Sequence, residues 1–198
     1  MPGIPPVLTQ AQVVDYSFME IKNLKELVDS DSPEETTTSP TSPTHAGKAQ
    51  EIVKLKGMTS LRISSNEIDD LENFHKYIDM VIENATDLQW LDLSYNKIPR
   101  IGLTMEPFKN VSVLYLQANN ISKFGDLKAL ANLPSLTNLA LHGNPVAAKK
   151  HYRNYVVHLL PRLHKLDFSC ITKKERVRSQ TWAQIFRKKL KGKKEDDE

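Results

Sequence analysis

The chain has 198 residues, 39% of them apolar, with 27 Lys or Arg against 24 Asp or Glu and a formal net charge of +3. With a mean hydropathy of −0.45 and no run near the ~20 apolar residues of a membrane span, an integral membrane protein is not expected. The single cysteine, Cys170, excludes a disulfide framework, and the first ten residues (MPGIPPVLTQ) lack a basic segment followed by an apolar one, so the expected compartment is reducing and cytoplasmic.

In chain order, residues 1–14 begin with prolines and are expected to be extended. Residues 15–29 (DYSFMEIKNLKELVD) carry Phe18, Ile21, Leu24, Leu27 and Val28 at helical spacing, with Ser17 as a cap and Glu20 three residues later. This predicts an amphipathic helix whose apolar face docks on the domain C-terminal to it, the two segments together forming an N-terminal arm and helix, 1–29. Residues 30–48 (SDSPEETTTSPTSPTHAGK) hold no large apolar residue and three Ser-Pro steps, the composition of a disordered linker. Ser32, Ser39 and Ser42 there are candidate proline-directed phosphorylation sites, and a passive tether is the alternative.

From residue 49 to 170 one frame recurs four times, L-x-x-L-x-L-x-x-N-x-I. The copies are residues 58–68 (MTSLRISSNEI), 88–98 (LQWLDLSYNKI), 111–121 (VSVLYLQANNI) and 136–146 (LTNLALHGNPV), with Asn66, Asn96, Asn119 and Asn144 spaced by 30, 23 and 25 residues. A period in this range marks a solenoid, and this frame is the leucine-rich repeat. The alternating apolar pair turns one face of a short strand inward. The asparagine amide both donates and accepts, so it can bond neighbouring turns. Since no single repeat buries its own face, neighbours must stack. The long first step, with Ile68, Leu71, Phe74, Tyr77, Ile78, Val81 and Ile82 at helical spacing, predicts a full helix in that return. In the third return Ile121, Phe124, Leu127, Leu130 and Leu133 step by three, which predicts a tighter helix.

A fifth strand, residues 163–168 (LHKLDF), keeps the apolar frame without the asparagine, Ile171 standing where it would be. Before it Tyr152, Tyr155, Val156, Leu159 and Leu160 recur at helical spacing and close the core. This stretch resembles the C-terminal cap of cytoplasmic leucine-rich repeat proteins, a group that includes the phosphatase regulator of the SDS-twenty-two type and the spliceosomal U2 A-prime protein. The fold class expected is therefore α/β, a leucine-rich repeat solenoid of four full repeats plus a capped fifth strand, with an N-terminal amphipathic helix and a C-terminal basic helix.

Residues 171–198 are that basic tail. Their net charge is +5, which leaves −2 for the first 170 residues. Val177, Trp182, Ile185, Phe186 and Leu190 fall on one side of a helix, with Arg187, Lys188 and Lys189 among the cations beyond. The tail suits an acidic partner, a nuclear localisation signal, or RNA and anionic lipid; a helix folded back over the last strand is the alternative.

No catalytic constellation is written here. The seven glycines form no G-x-G, G-x-S-x-G or P-loop. His151, His158 and His164 lack a cysteine or carboxylate at ligand spacing, and Cys170 lacks a positive partner, so neither a metal nor a cofactor is expected. The frame instead predicts a concave surface in rows, Ser60–Trp90–Val113–Asn138–Lys165 and Arg62–Asp92–Tyr115–Ala140–Asp167, with Ser64, Ser94, Gln117, His142 and Ser169 in the next. Trp90, Tyr115 and Asp92 are expected to meet a partner, with Tyr95 in the turn beyond; exposed aromatics beside a small residue and charges have the composition of an interface hot spot. The alternative is that Trp90 lies flat and merely covers the sheet.

DYSF at 15–18, VSVLYLQANNI, LTNLALHGNP, YRNYV at 152–156, LDFS at 166–169 with TKKER at 172–176, and Trp182 together resemble the leucine-rich repeat-containing protein 51 family. The linker and the lysine-rich end do not match it. The resemblance implies a non-enzymatic cytoplasmic protein of ciliated and flagellated cells, where related repeats bind axonemal dyneins, radial spokes and the tubulin of doublet microtubules. The expected partners are thus axonemal proteins, with no small-molecule substrate or membrane, and nucleic acid is disfavoured. A nuclear ribonucleoprotein subunit and a phosphatase-regulatory subunit are the alternatives.

Overall fold

The computed structural model describes residues 13–29, 54–102 and 105–195, with side chains described as far as residue 186. The linker and its Ser-Pro steps, residues 1–12 and the basic side chains from Arg187 onward lie outside these.

Seven strands form one sheet in sequence order: β1 (Val13–Asp15), β2 (Ser60–Arg62), β3 (Trp90–Asp92), β4 (Val113–Tyr115), β5 (Asn138–Ala140), β6 (Lys165–Leu166) and β7 (Ser169–Cys170). The first six are parallel and the last is antiparallel to β6. A sheet of parallel neighbours in sequence order needs a crossover after each strand, and the returns supply it. Helix α1 is Glu26–Asp29 and α2, Phe74–Val81, is the helix expected in the long first return. Its Phe74, Ile78 and Val81 are buried. The third return is the tight helix read from the step of three: Phe124–Asn132 is 3₁₀, and Leu127 and Leu130, on one side at that spacing, are buried. Helix α3 (Tyr152–Leu159) closes the end, and α4 (Lys173–Glu195) comes after β7.

The core is three ladders of the repeat frame. Leu61, Leu91, Leu114, Leu139 and Leu166 form one, Ile63, Leu93, Leu116 and Leu141 the next, and Ile68, Ile98, Ile121 and Val146 the third, all buried. Each such side chain contributes about 1.5–3 kcal/mol on burial.

The asparagines stitch each repeat to the one before it. The Oδ1 of Asn96, Asn119 and Asn144 accepts the N–H of Ile68, Ile98 and Ile121 at 3.1, 3.0 and 3.0 Å. Their Nδ2 groups donate back to Ile63, Leu93 and Leu116 carbonyls at 2.9, 2.9 and 2.8 Å. The residue before each asparagine is left-handed, with φ of 58° at Ser65, 54° at Tyr95, 54° at Ala118 and 77° at Gly143. At Gly143 crowding adds to strain, because a Cβ there would lie 3.1 Å from the Ala118 amide nitrogen.

The N-terminal helix expected over residues 15–29 is not formed; only Glu26–Asp29 is α-helical. Residues 13–21 are instead a partial repeat laid on the open edge of β2. Val14 pairs with Leu61, and the Tyr16 and Phe18 N–H groups donate to Arg62 and Ser64 carbonyls at 2.8 and 3.2 Å. Asn66 treats this segment as its preceding repeat, accepting from Met19 and Ile21 N–H and donating to the Tyr16 carbonyl at 2.8 Å. Val14 and Tyr16 thus hold the two core positions and Ile21 the third, while Met19 takes the place of the asparagine. Phe18, assigned by its spacing to an apolar face, is 80% exposed at φ 60°. Backbone pairing to β2 outweighs the short-range helical pattern.

The fifth strand is also shorter than expected. It ends at Leu166, and the chain reverses through Asp167 (φ 51°) and Phe168 (φ 61°) into β7. The cause is Asp167. Elsewhere the next strand's carbonyl accepts the N–H one position past the second-row residue, as in Leu116 N–H to Ala140 O at 2.9 Å. At the last turn the Asp167 carboxylate takes that role, accepting from Leu141 and His142 N–H at 2.7 and 2.9 Å. Its other oxygen accepts from the Tyr152 hydroxyl at 2.9 Å. Stacking stops there.

Candidate interaction surface

Alternation along the strands puts the predicted rows on one face. Ser60, Trp90, Val113, Asn138 and Lys165 are in register, as are Arg62, Asp92, Tyr115 and Ala140; β1 extends the rows with Val13 and Asp15. Trp90 and Tyr115 come from adjacent strands and neighbouring rows, so their rings meet edge to face, with centroids 5.7 Å apart. Phe168, released from the strand by the reversal, extends this pair: its ring lies 5.5 Å from Tyr115 and 5.4 Å from His142. At the other end the Arg62 guanidinium covers Trp90 at 5.2 Å. The result is a continuous row, Arg62–Trp90–Tyr115–Phe168–His142, crossing from β2 to the cap.

Arg62 is anchored by two carboxylates, and the rings brace one another. Arg62 reaches the carboxylates of Asp15 at 3.3 Å and Asp92 at 3.8 Å. Edge-to-face ring pairs add about 0.5–1.5 kcal/mol each. Phe168 nevertheless keeps 62% of its surface exposed. Trp90 and Tyr115 are half-buried, and Lys165 and His142 are exposed. Tyr95 is 58% exposed at its turn.

Three expectations change. Asp92 does not face a partner: it is 8% exposed, and one carboxylate oxygen accepts from Ser94 N–H and hydroxyl at 2.9 and 2.5 Å while the other faces Arg62. Gln117 is also buried, its Oε1 without a hydrogen-bond partner. Asp167 is occupied by the turn it caps. The third predicted row therefore survives only at His142, because Ser64, Ser94 and Gln117 are buried and Ser169 lies in the antiparallel β7.

The tail folds back in its described part. Ser179 and Ala183 of α4 are buried, and Trp182 meets the rings of His151 at 5.6 Å and Tyr155 at 6.4 Å while stacking on Phe186 at 5.3 Å. Trp182 thus belongs to the helix packing. Arg153 Nε bonds Glu175 at 2.7 Å, and this contact, with the Thr172 N–H, holds the Glu175 carboxyl down at about 2. Arg176 donates to the Leu160 and Leu163 carbonyls, tying α4 to the end of α3. Burial, then the Asp167 carboxylate, push the Tyr152 hydroxyl well above its usual range. Burial likewise raises Tyr155, which donates to the Phe124 carbonyl at 3.1 Å. Arg187, Lys188 and Lys189 continue the α4 backbone. Among the described residues no three His, Cys, Asp or Glu side chains are grouped to hold a metal.

Phe168 escaped sequence reasoning because the apolar frame assigned it to a strand. The signal available was Asp167 itself, a residue that tolerates left-handed backbone, in a copy of the frame lacking its asparagine.

This stacked sheet with its asparagine ladder and capped end defines a leucine-rich repeat protein, and a family model described as Leucine-rich repeat matches residues 53–196. Leucine-rich repeat-containing protein 51 of Rattus norvegicus is 35% identical over 176 residues, 89% of this chain and 87% of that protein. The chain belongs to the leucine-rich repeat-containing protein 51 family. U2 small nuclear ribonucleoprotein A' of Schizosaccharomyces pombe is 34% identical over 134 residues, 66% of this chain and 54% of that protein. The fold is shared with the crystal structure of the Drosophila melanogaster SNF/U2A' complex, at a TM-score of 0.56 and 24% identity over 85% of this chain and 79% of that one. Leucine-rich repeat proteins serve as interaction modules, and no catalytic family is indicated.

Proposed function

We propose that this protein is a non-enzymatic adaptor that captures a protein segment on the row Arg62–Trp90–Tyr115–Phe168–His142, and that it serves as a structural component of the ciliary or flagellar axoneme. The observation that carries the binding role is the row itself. Its rings are pre-oriented by mutual contacts, so a partner meets large apolar area without much ordering cost, and aromatic and Arg side chains dominate interface energetics. Val113, half-buried between the rings, adds apolar surface to the row. The axonemal setting, with a dynein, radial-spoke or tubulin partner, rests on the family resemblance. Arg187, Lys188 and Lys189 then add an electrostatic attachment that weakens as salt rises.

The test is Trp90→Ala with Tyr115→Ala, followed by partner capture and by location of a tagged copy in a ciliated cell. Loss of capture and of axonemal retention, with the circular dichroism spectrum unchanged, is expected; unchanged capture would sink the proposal.

A second reading has its own support. The Schizosaccharomyces pombe relative is a small nuclear ribonucleoprotein, and the fold is shared with a structure of its Drosophila counterpart in complex with SNF. A nuclear ribonucleoprotein subunit would carry its tagged copy into the nucleus and lose that signal when residues 187–194 are deleted.

A further inference from the structure

A second surface lies in the cap, on residues that the aromatic row does not use. Between the 3₁₀ turn Pro145–Ala148, the start of α3 and the first turns of α4 is a cleft of about 390 Å³ lined by Lys149, His151, Arg153, Asn154 and Arg178, with Glu175 at its wall. Residues 145–178 hold nine Lys or Arg against two Asp or Glu, and Lys149, Arg153 and Arg178 line the cleft against Glu175 alone.

Both carboxylates of that stretch are already engaged. Glu175 accepts from Arg153 through one oxygen and from Thr172 N–H and hydroxyl through the other, at 2.7, 2.8 and 3.0 Å. Asp167 caps the last turn. Arg153 also donates to the Leu166 and Cys170 carbonyls and to the Ser169 hydroxyl at 3.2, 3.3 and 3.0 Å, so it is a fixed wall of the cleft. Arg178 has no ion-pair partner among the described residues, nor has Lys149, whose ammonium stands 5.9 Å over the Phe124 ring. Lys150 beside Lys149, and Lys174 one helical turn before Arg178, are exposed and equally unpaired among the described residues.

We propose that this cleft is a docking site for an acidic polypeptide segment, whose Glu or Asp carboxylates bridge Lys149 and Arg178. Unpaired cations lining one shallow cleft raise the local positive potential and so attract anions. The geometry favours carboxylates over a nucleic acid. Single-stranded nucleic acids bind by stacking bases on free aromatic faces, and the aromatic rings beside the cleft are already engaged in ring–ring contacts. Trp182 is stacked on Phe186 with 18° between planes and turned against His151, and Phe124 is stacked on Tyr155 with centroids 4.5 Å apart. This site shares no lining residue with the concave row.

The test uses the full chain, fluorescence anisotropy, a fluorescein-labelled oligoglutamate peptide and an oligouridine of equal charge. To separate the cleft from the tail, Lys149→Glu with Arg178→Glu is made both in the native chain and in a chain carrying Arg187→Gln, Lys188→Gln and Lys189→Gln. In both backgrounds the reversal is expected to weaken peptide binding about tenfold or more and to flatten its salt dependence. The circular dichroism spectrum should not change, and Trp90→Ala with Tyr115→Ala should leave the affinity as it was. Arg178→Gln alone, which perturbs the fold least, is expected to weaken binding in the same direction. Peptide affinity indifferent to the reversal and to Arg178→Gln, no peptide binding at all, or tighter binding of the oligouridine would each overturn the proposal.

Discussion

Asn119→Ala is the sharpest probe of the ladder that holds the concave sheet in place. The buried Asn119 amide accepts from Ile98 N–H at 3.0 Å and donates to the Leu93 and Leu116 carbonyls at 2.9 and 3.1 Å. Both carbonyls keep a second donor after truncation, Asn96 at 3.2 Å and Asn144 at 2.8 Å. The Ile98 N–H keeps none. One orphaned buried donor costs about 1–3 kcal/mol, and two lost bonds to carbonyls that stay paired add about 0.5–1 kcal/mol together. The expected destabilisation is therefore about 2–4 kcal/mol, read by urea unfolding as a fall in midpoint at constant slope. The neighbouring Asn120 is an internal control. It is exposed, with one long bond to the Lys97 carbonyl at 3.4 Å, so Asn120→Ala should stay within about 0.5 kcal/mol. Equal effects of the two substitutions would refute the ladder argument.

Phe168→Ala separates binding from folding. The exposed 62% of this ring is about 100–150 Å² of the ~150–250 Å² an aromatic side chain buries when enclosed, worth about 2.5–4 kcal/mol to a partner that covers it. Side-chain ordering takes back about 1 kcal/mol, so partner capture should weaken at least about tenfold while the urea midpoint barely moves; a shifted midpoint with intact capture would give Phe168 to the fold instead. Acid should loosen α4. The Glu175 pKa is depressed to about 2 from 4.5, so its bond to Arg153 contributes fully above 4.5 and is lost as pH falls through about 2. In a Trp90→Phe background Trp182 emission should shift red over that window, and Glu175→Gln should remove this component; an identical pH profile in Glu175→Gln would assign the transition to other carboxylates.

Much of this architecture can be read from the chain because its determinants are local and periodic. The alternation of Leu91 and Leu93 fixes which face is buried, and the in-frame asparagines fix the register, so the strand-to-strand register of both rows is as expected wherever the strands run. The step of three from Ile121 to Leu133 likewise identifies the 3₁₀ return. Long-range pairing is what the sequence conceals. Residues 13–21 join the sheet because β2 offers an open edge and Asn66 reaches back to them, while their own spacing suggests a helix. Asp92 turns into its own strand end to meet Ser94, a choice that alternation does not report. Phe168 is exposed because Asp167 satisfies two N–H groups from the preceding repeat, a contact spanning 26 residues to Leu141. The partner of the concave row leaves no trace in the spacing at all.

We propose that the aromatic row carries attachment to a partner in the axoneme. It is tested most directly by expressing tagged native protein and the Trp90→Ala, Tyr115→Ala, Phe168→Ala variant in a ciliated cell and tracking both through detergent extraction. Native protein is expected to stay along the extracted axoneme while the variant, folded and equally abundant, passes into the soluble fraction. Equal retention of the two, or native protein that never associates with the axoneme, would contradict it.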